Sequence, residues 1–230
     1  MSNGTLNNKA IPELTYRMPT PSDKILGGLI RVAHEKLGLT PNQISTIGFA
    51  IGLVSAGVFA AGHILPGLLV MALCQVVDGV DGGVARVYNL GTEQGKRLDT
   101  LYDRLNELAI FLALAYAGQV TWLIAILAFV AILLVTAVEP LSKFDPGFKR
   151  FMLYFGYLLS ILFSIRGFQI ALNVVFFANL TAFAVGTIMV DYRLQAKIDD
   201  QEIIRREREL AMGLPPPPQD PPSLLSRIFA

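Results

Sequence analysis

The chain has 230 residues, 53% of them hydrophobic and only 16% charged, well under the roughly 25% charged of a soluble domain. The net charge of +1 gives no basis for a nucleic-acid partner, and one cysteine cannot build a disulfide scaffold. Disorder and an ordinary soluble globule fit equally poorly with so apolar a composition.

The charges are unevenly placed. Residues 1–42 carry 8 of the 37 and residues 191–230 carry 13, and of the 16 between, ten fall within 78–107. An apolar interior with polar ends and one charged island predicts an all-α integral membrane protein.

In chain order, residues 1–21 are polar, contain Pro12, Pro19 and Pro21, and read as a flexible leader without the apolar region of a secretory signal. Residues 22–38 predict an N-terminal amphipathic juxtamembrane helix capped by Ser22. Its stripe of Ile25, Leu29, Val32 and Lys36 suits the membrane interface or packing as a linker helix. Residues 39–191 read as a domain of six transmembrane helices, placed near 43–64, 66–87, 99–118, 120–140, 148–166 and 168–191. Pro66, Gly118, Pro140, Pro146 and Gly167 punctuate them, and unbroken apolar runs such as Trp122–Val138 exclude an all-β fold. A charged cytoplasmic helix over 192–212 and a Pro-rich tail over 213–230 complete the chain.

Lys and Arg set the expected orientation. With the N-terminus cytoplasmic, Lys96, Arg97, Lys143, Lys149, Arg150 and the basic residues after 191 share its side, and only Arg166 lies opposite. Six spans then put both termini and the charged island on the cytoplasmic side.

That island carries chemistry. Asp78 and Asp81 are three apart, and Asp99 and Asp103 are four apart, so each pair shares a helix face. If the two helices are antiparallel neighbours, all four carboxylates converge. Each is costly in a membrane, and together they repel unless cations sit among them. All-oxygen ligands favour Mg²⁺, Mn²⁺ or Ca²⁺ over zinc, with no His or Cys competing nearby, and two Mg²⁺ ions would suit a diphosphate substrate. Gly79, Gly82, Gly83 and Gly95 leave room for a ligand to approach the backbone, and Arg86 is placed to reach a phosphate.

Asp78-x-x-Asp81-Gly82-x-x-Ala85-Arg86, eight residues, then Gly95-x-x-x-Asp99-x-x-x-Asp103 resembles the signature of the CDP-alcohol phosphatidyltransferases at every fixed position. The resemblance implies that Asp78, Asp81, Asp99 and Asp103 bind two divalent ions, Mg²⁺ or Mn²⁺, and that Asp103 is also the catalytic base. It implies that Gly82, Arg86, Thr92 and Gly95 contact the CDP-linked lipid donor. Pro41-Asn42-Gln43-Ile44-Ser45 is similar to a family segment that helps seat the nucleotide, which adds Asn42 and Ser45. It further implies a homodimer in the lipid bilayer. The reaction implied is attack of an acceptor hydroxyl on the lipid-bearing phosphorus, with CMP leaving.

The run Asp99-Thr100-Leu101-Tyr102-Asp103-Arg104 is more similar to members that use inositol phosphate than to phosphatidylglycerophosphate or phosphatidylserine synthases. A phosphorylated polyol acceptor needs a basic pocket, for which Lys149, Arg150 and Arg193 are candidates, though positive-inside topology accounts for them equally well. Glycerol-3-phosphate or an uncharged alcohol is the alternative acceptor. A divalent-cation transporter is the alternative of a different class, disfavoured because the carboxylates cluster at one membrane face.

Overall fold

A computed structural model describes residues 20–143 and 145–212. The expected leader up to residue 19 and the Pro-rich tail from 213 lie outside the described residues.

The amphipathic segment is three short pieces instead of one helix: α1 (Pro21–Ile25), α2 (Gly27–Arg31) and a single π-helical turn, Val32–Lys36. Thr20, not Ser22, caps α1, with the Asp23 carboxylate accepting from the Thr20 N–H at 2.7 Å and Pro21 at the first helical position. The Gly27-Gly28 pair has poor helix propensity and follows the break at Leu26. Ile30 and Ala33 are buried, as is Asp23, while Ile25, Leu29 and Val32 point outward.

Six long helices follow: α3 (Pro41–Ala60), α4 (Ile64–Val87), α5 (Glu93–Tyr116), α6 (Trp122–Ser142), α7 (Phe151–Phe163) and α8 (Gly167–Ala211). Thr40 and Gln43 form a capping box on α3 with Pro41 at its first position, and Thr92 and Thr121 cap α5 and α6. Pro140 does not end α6 as expected. It sits in the last turn, and the helix stops at Lys143, which takes the left-handed conformation with φ 57°. The third helix starts six residues earlier than expected because Thr92 caps it.

Among the described residues, four helices (α3, α4, α6 and the first 39 residues of α8) are long and apolar enough to cross a membrane. The expected six spans are therefore six helices of which two fall short by these measures. The 13 residues of α7 reach only about 20 Å against a hydrocarbon core of about 30 Å. The first two-thirds of α5 carries Glu93, Lys96, Arg97, Asp99, Asp103, Arg104 and Glu107. The continuous α8 has 45 residues, about 68 Å, roughly twice the bilayer core.

The packing order places the site. α3 packs on both α4 and α5, α5 on α6, and α8 on α6 and α7. The buried stripe Ser45, Gly48, Gly52, Ser55 of α3 is the wedge between α4 and α5. At Gly52 a Cβ would overlap the Asn106 amide of α5, and at Gly48 it would stand 2.8 Å from the Asp78 carboxylate of α4. Phe59, Met71, Phe111, Leu114, Ile132 and Leu172 are fully buried and join α3, α4, α5, α6 and α8 in one core.

Candidate active site

α4 and α5 each pack extensively on α3, and they meet each other through side chains, with Asn106 Nδ2 donating to Cys74 Sγ at 3.9 Å. The wedge supplies Ser45, whose hydroxyl donates to Asp81 Oδ2 at 2.5 Å while Asp81 is buried. Arg150, just before α7, joins the two sides: Nη1 donates to Asp78 Oδ2 and Nη2 to Asp103 Oδ1, both at 2.5 Å. Asp99 lies within the electrostatic reach of Asp103 and Asp78, and Asp81 within that of Asp99 and Asp78. The four carboxylates thus share one field, but among the described residues no three His, Cys, Asp or Glu side chains converge to ligate one ion.

Cys74 corrects the expectation that no thiol lies nearby. One turn before Asp78 on α4, it is buried, with Sγ 3.2 Å from the Gly48 carbonyl oxygen and 3.9 Å from both Asp78 carboxylate oxygens.

Two of the glycines interleaved with the motif residues seat protein rather than ligand. The Leu26 side chain fills the space left by Gly79, and Ile30 that left by Gly83. Gly82 lies under Arg86, whose Nη1 would be 2.9 Å from a Cβ there. Arg86 is held by Asp23 at two points: Nε donates to Oδ2 at 3.0 Å and Nη2 to Oδ1 at 2.5 Å. The Arg86 guanidinium beside it holds the Asp23 carboxyl down at about 2, against its ordinary 3.8. Asn42, Thr92 and Gly95 come together where α3 and α5 begin. The Thr92 hydroxyl accepts from the Gly95 N–H at 3.0 Å, and a Cβ on Gly95 would lie 2.7 Å from Asn42 Oδ1.

A cavity of about 360 Å³ opens beside the aspartates, lined by Asp78, Asp103, Arg104, Lys149 and Arg150 among others. Lys149 is buried and donates to Asp145 at 2.9 Å, and Arg104 pairs with the buried Glu107 at 2.5 Å. Arg193 is not brought to this cavity. It is exposed and donates to the Leu141 carbonyl at the end of α6 at 3.1 Å. Asp145 and Gln75 line the cavity without having been singled out in the sequence, and Arg104, quoted there only within the run 99–104, lines it too. Its place three residues before Glu107 also puts it on the helix face of an ion pair. A larger apolar cavity of about 800 Å³ runs along α8, and Asp145 borders both.

The profile of the CDP-alcohol phosphatidyltransferases matches residues 38–180, more than half of the chain. The chain belongs to the CDP-alcohol phosphatidyltransferase family. The matched stretch holds all four aspartates, Arg86, Lys149 and Arg150, and leaves out Asp23 and Arg193. The chain is 34% identical over 86 residues to an archaetidylinositol phosphate synthase of Pyrococcus horikoshii, covering 37% of this chain and 46% of that one. It is 34% identical over 89 residues to a phosphatidylinositol phosphate synthase of Corynebacterium glutamicum, covering 38% and 37%. The chain thus aligns with less than half the length of these two relatives. Among solved structures it resembles the Mycobacterium tuberculosis phosphatidylinositol phosphate synthase in complex with manganese and citrate. That likeness has a TM-score of 0.60 at 19% identity over 74% of this chain and 88% of that one, and establishes the fold alone.

Proposed function

We propose that this membrane protein transfers a phosphatidyl-type group from a CDP-linked lipid alcohol to an alcohol acceptor and releases CMP, and that the acceptor is a phosphorylated polyol such as inositol phosphate. The observation that carries the reading is the cavity where Asp78 and Asp103 share walls with Arg104, Lys149 and Arg150. Carboxylates and guanidinium groups side by side suit a reaction in which an alcohol is deprotonated beside anionic phosphates. The apolar cavity next to it suits a substrate with a lipid part.

Divalent cations belong to this reading. The donor set fits them: four hard oxygen ligands share one field, and Asp78 and Asp103 already draw a guanidinium cation between them. Asp78, Asp81, Asp99 and Asp103 would hold Mg²⁺ or Mn²⁺, as two ions, and the metal supplies neutralisation of diphosphate charge when bound. Asp103 takes the proton of the acceptor hydroxyl. Arg86, over Gly82, and the Asn42–Thr92–Gly95 group bind the CDP part of the donor, with Ser45 steadying Asp81. Lys149 and Arg150 orient the acceptor phosphate by charge-assisted hydrogen bonds. The cytoplasmic placement of this face, six spans and a homodimer are parts of the same reading, supported by the Lys and Arg distribution and the family.

The test is CMP release by the purified protein in detergent with CDP-diacylglycerol and Mg²⁺, with acceptors offered singly. Release with inositol phosphate, abolished by chelation and lowered about 10²–10⁴-fold by Asp103→Asn with the helical content unchanged, is the expected outcome. Release with glycerol-3-phosphate or an uncharged alcohol alone would replace the acceptor. No release with any acceptor would overturn the transferase.

A further inference from the structure

We propose that Asp23 is a positioning residue for the CDP-linked donor: from outside the matched domain it clamps Arg86 so that one edge of its guanidinium is presented over Gly82. The inference rests on the donor-binding reading of Arg86 given above. Arginine has many rotamers and loses entropy when a ligand must order it. Here the ordering is already done by the protein. Asp23 engages Nε–H and Nη2–H, which leaves the Nη1 amino group toward Gly82, where no Cβ stands in the way. A guanidinium held on one edge by a carboxylate keeps a free edge for a phosphate oxygen.

Asp23 is itself anchored. Its Oδ2 also accepts from the Thr20 N–H at 2.7 Å, and its side chain is 1% exposed against 25% for that of Arg86. The turns that carry it are keyed into α4 by Leu26 at Gly79 and Ile30 at Gly83. The spaces left by those two glycines therefore dock the segment that aims the motif arginine. This also accounts for a buried carboxylate in a short N-terminal helix, where a surface helix alone would need none.

Equilibrium binding of CDP-diacylglycerol to the full chain in detergent with Mg²⁺ tests this, scored per folded molecule from the unfolding midpoint. Asp23→Asn is expected to weaken donor binding about tenfold and, in the transferase assay, to raise KM for the donor with kcat changed less than about twofold. In an Arg86→Ala background, Asp23→Asn is expected to add nothing, because its effect passes through the guanidinium. A merely structural Asp23 would instead lower the folded fraction and add to the Arg86→Ala loss. Unchanged donor affinity in Asp23→Asn, or tighter binding because Arg86 has been unmasked, would overturn the proposal. Should Asp23→Asn not fold, Asp23→Glu serves: the longer side chain displaces the clamp, and an unchanged affinity again overturns it. If Arg86→Ala leaves donor affinity intact, or the wild-type chain binds no CDP-diacylglycerol, the underlying functional reading fails. Loss in Arg86→Ala without loss in Asp23→Asn overturns the positioning role alone.

Discussion

A guanidinium taken out of water is tolerated only where its edges are paired, and Arg150 meets that condition with Asp78 on one side and Asp103 on the other. Those partners lie 72 and 47 residues away, so no local pattern could name them. Lys149 and Arg193 differ in the same way. Charge distribution grouped them, while the structure buries Lys149 in the polar cavity and leaves Arg193 on the end of α6. Lys149→Gln is therefore expected to raise KM for the phosphorylated acceptor about 10- to 100-fold, as the loss of one charge-assisted contact of about 1.5–3 kcal/mol. Arg193→Gln is expected to leave it within about twofold. Steady-state kinetics with varied acceptor separates the two, and equal effects would return Arg193 to the site. The aspartates were legible at this scale because i, i+3 and i, i+4 spacing alone places each pair on one helix face.

At the scale of elements, α3 decides how the two aspartate helices meet. Its small-residue stripe lets the backbone come close enough for Asn106 and Asp78 to occupy the spaces of missing side chains. Gly52→Ala is expected to destabilise the bundle by about 1–3 kcal/mol through overpacking against Asn106. Gly57→Ala, with open space at that position, is expected to be neutral or stabilising by up to about 1 kcal/mol. Thermal unfolding in detergent compares them, and equal midpoints would argue against the wedge. The docking of α1 and α2 on α4 carries a pH signature. Folding lowers the Asp23 carboxyl from 3.8 to about 2, so the unfolded state binds more protons between those values. The stabilisation is fully present above about pH 4 and fades as pH falls toward about 2. Protease cleavage between α1 and α3 is expected to rise over that window in the wild type and to be flat there in Asp23→Asn. A wild-type profile without that rise would contradict the pairing.

At the scale of the molecule, four helices among the described residues satisfy length and apolarity, while α5 and α7 require the bundle to carry a charged first two-thirds of one helix and a short span. Lys143→Cys and Arg166→Cys, both at exposed positions flanking α7, report whether it crosses. In a Cys74→Ala background, a membrane-impermeant maleimide added to sealed vesicles is expected to label one and not the other, and labelling of both would remove α7 from the spans. An apolar interior, the order of six helices and one acidic island were determined by the sequence alone, because composition and helical spacing act within a few turns. Family membership followed from a motif whose eight fixed residues lie within 26 positions. Only the tertiary structure decided that α4 and α5 each pack on α3, that Gly79 and Gly83 seat Leu26 and Ile30, and that Asp23 holds Arg86. Those outcomes depend on which surfaces of distant segments fit together, and packing of that kind leaves no period in the chain.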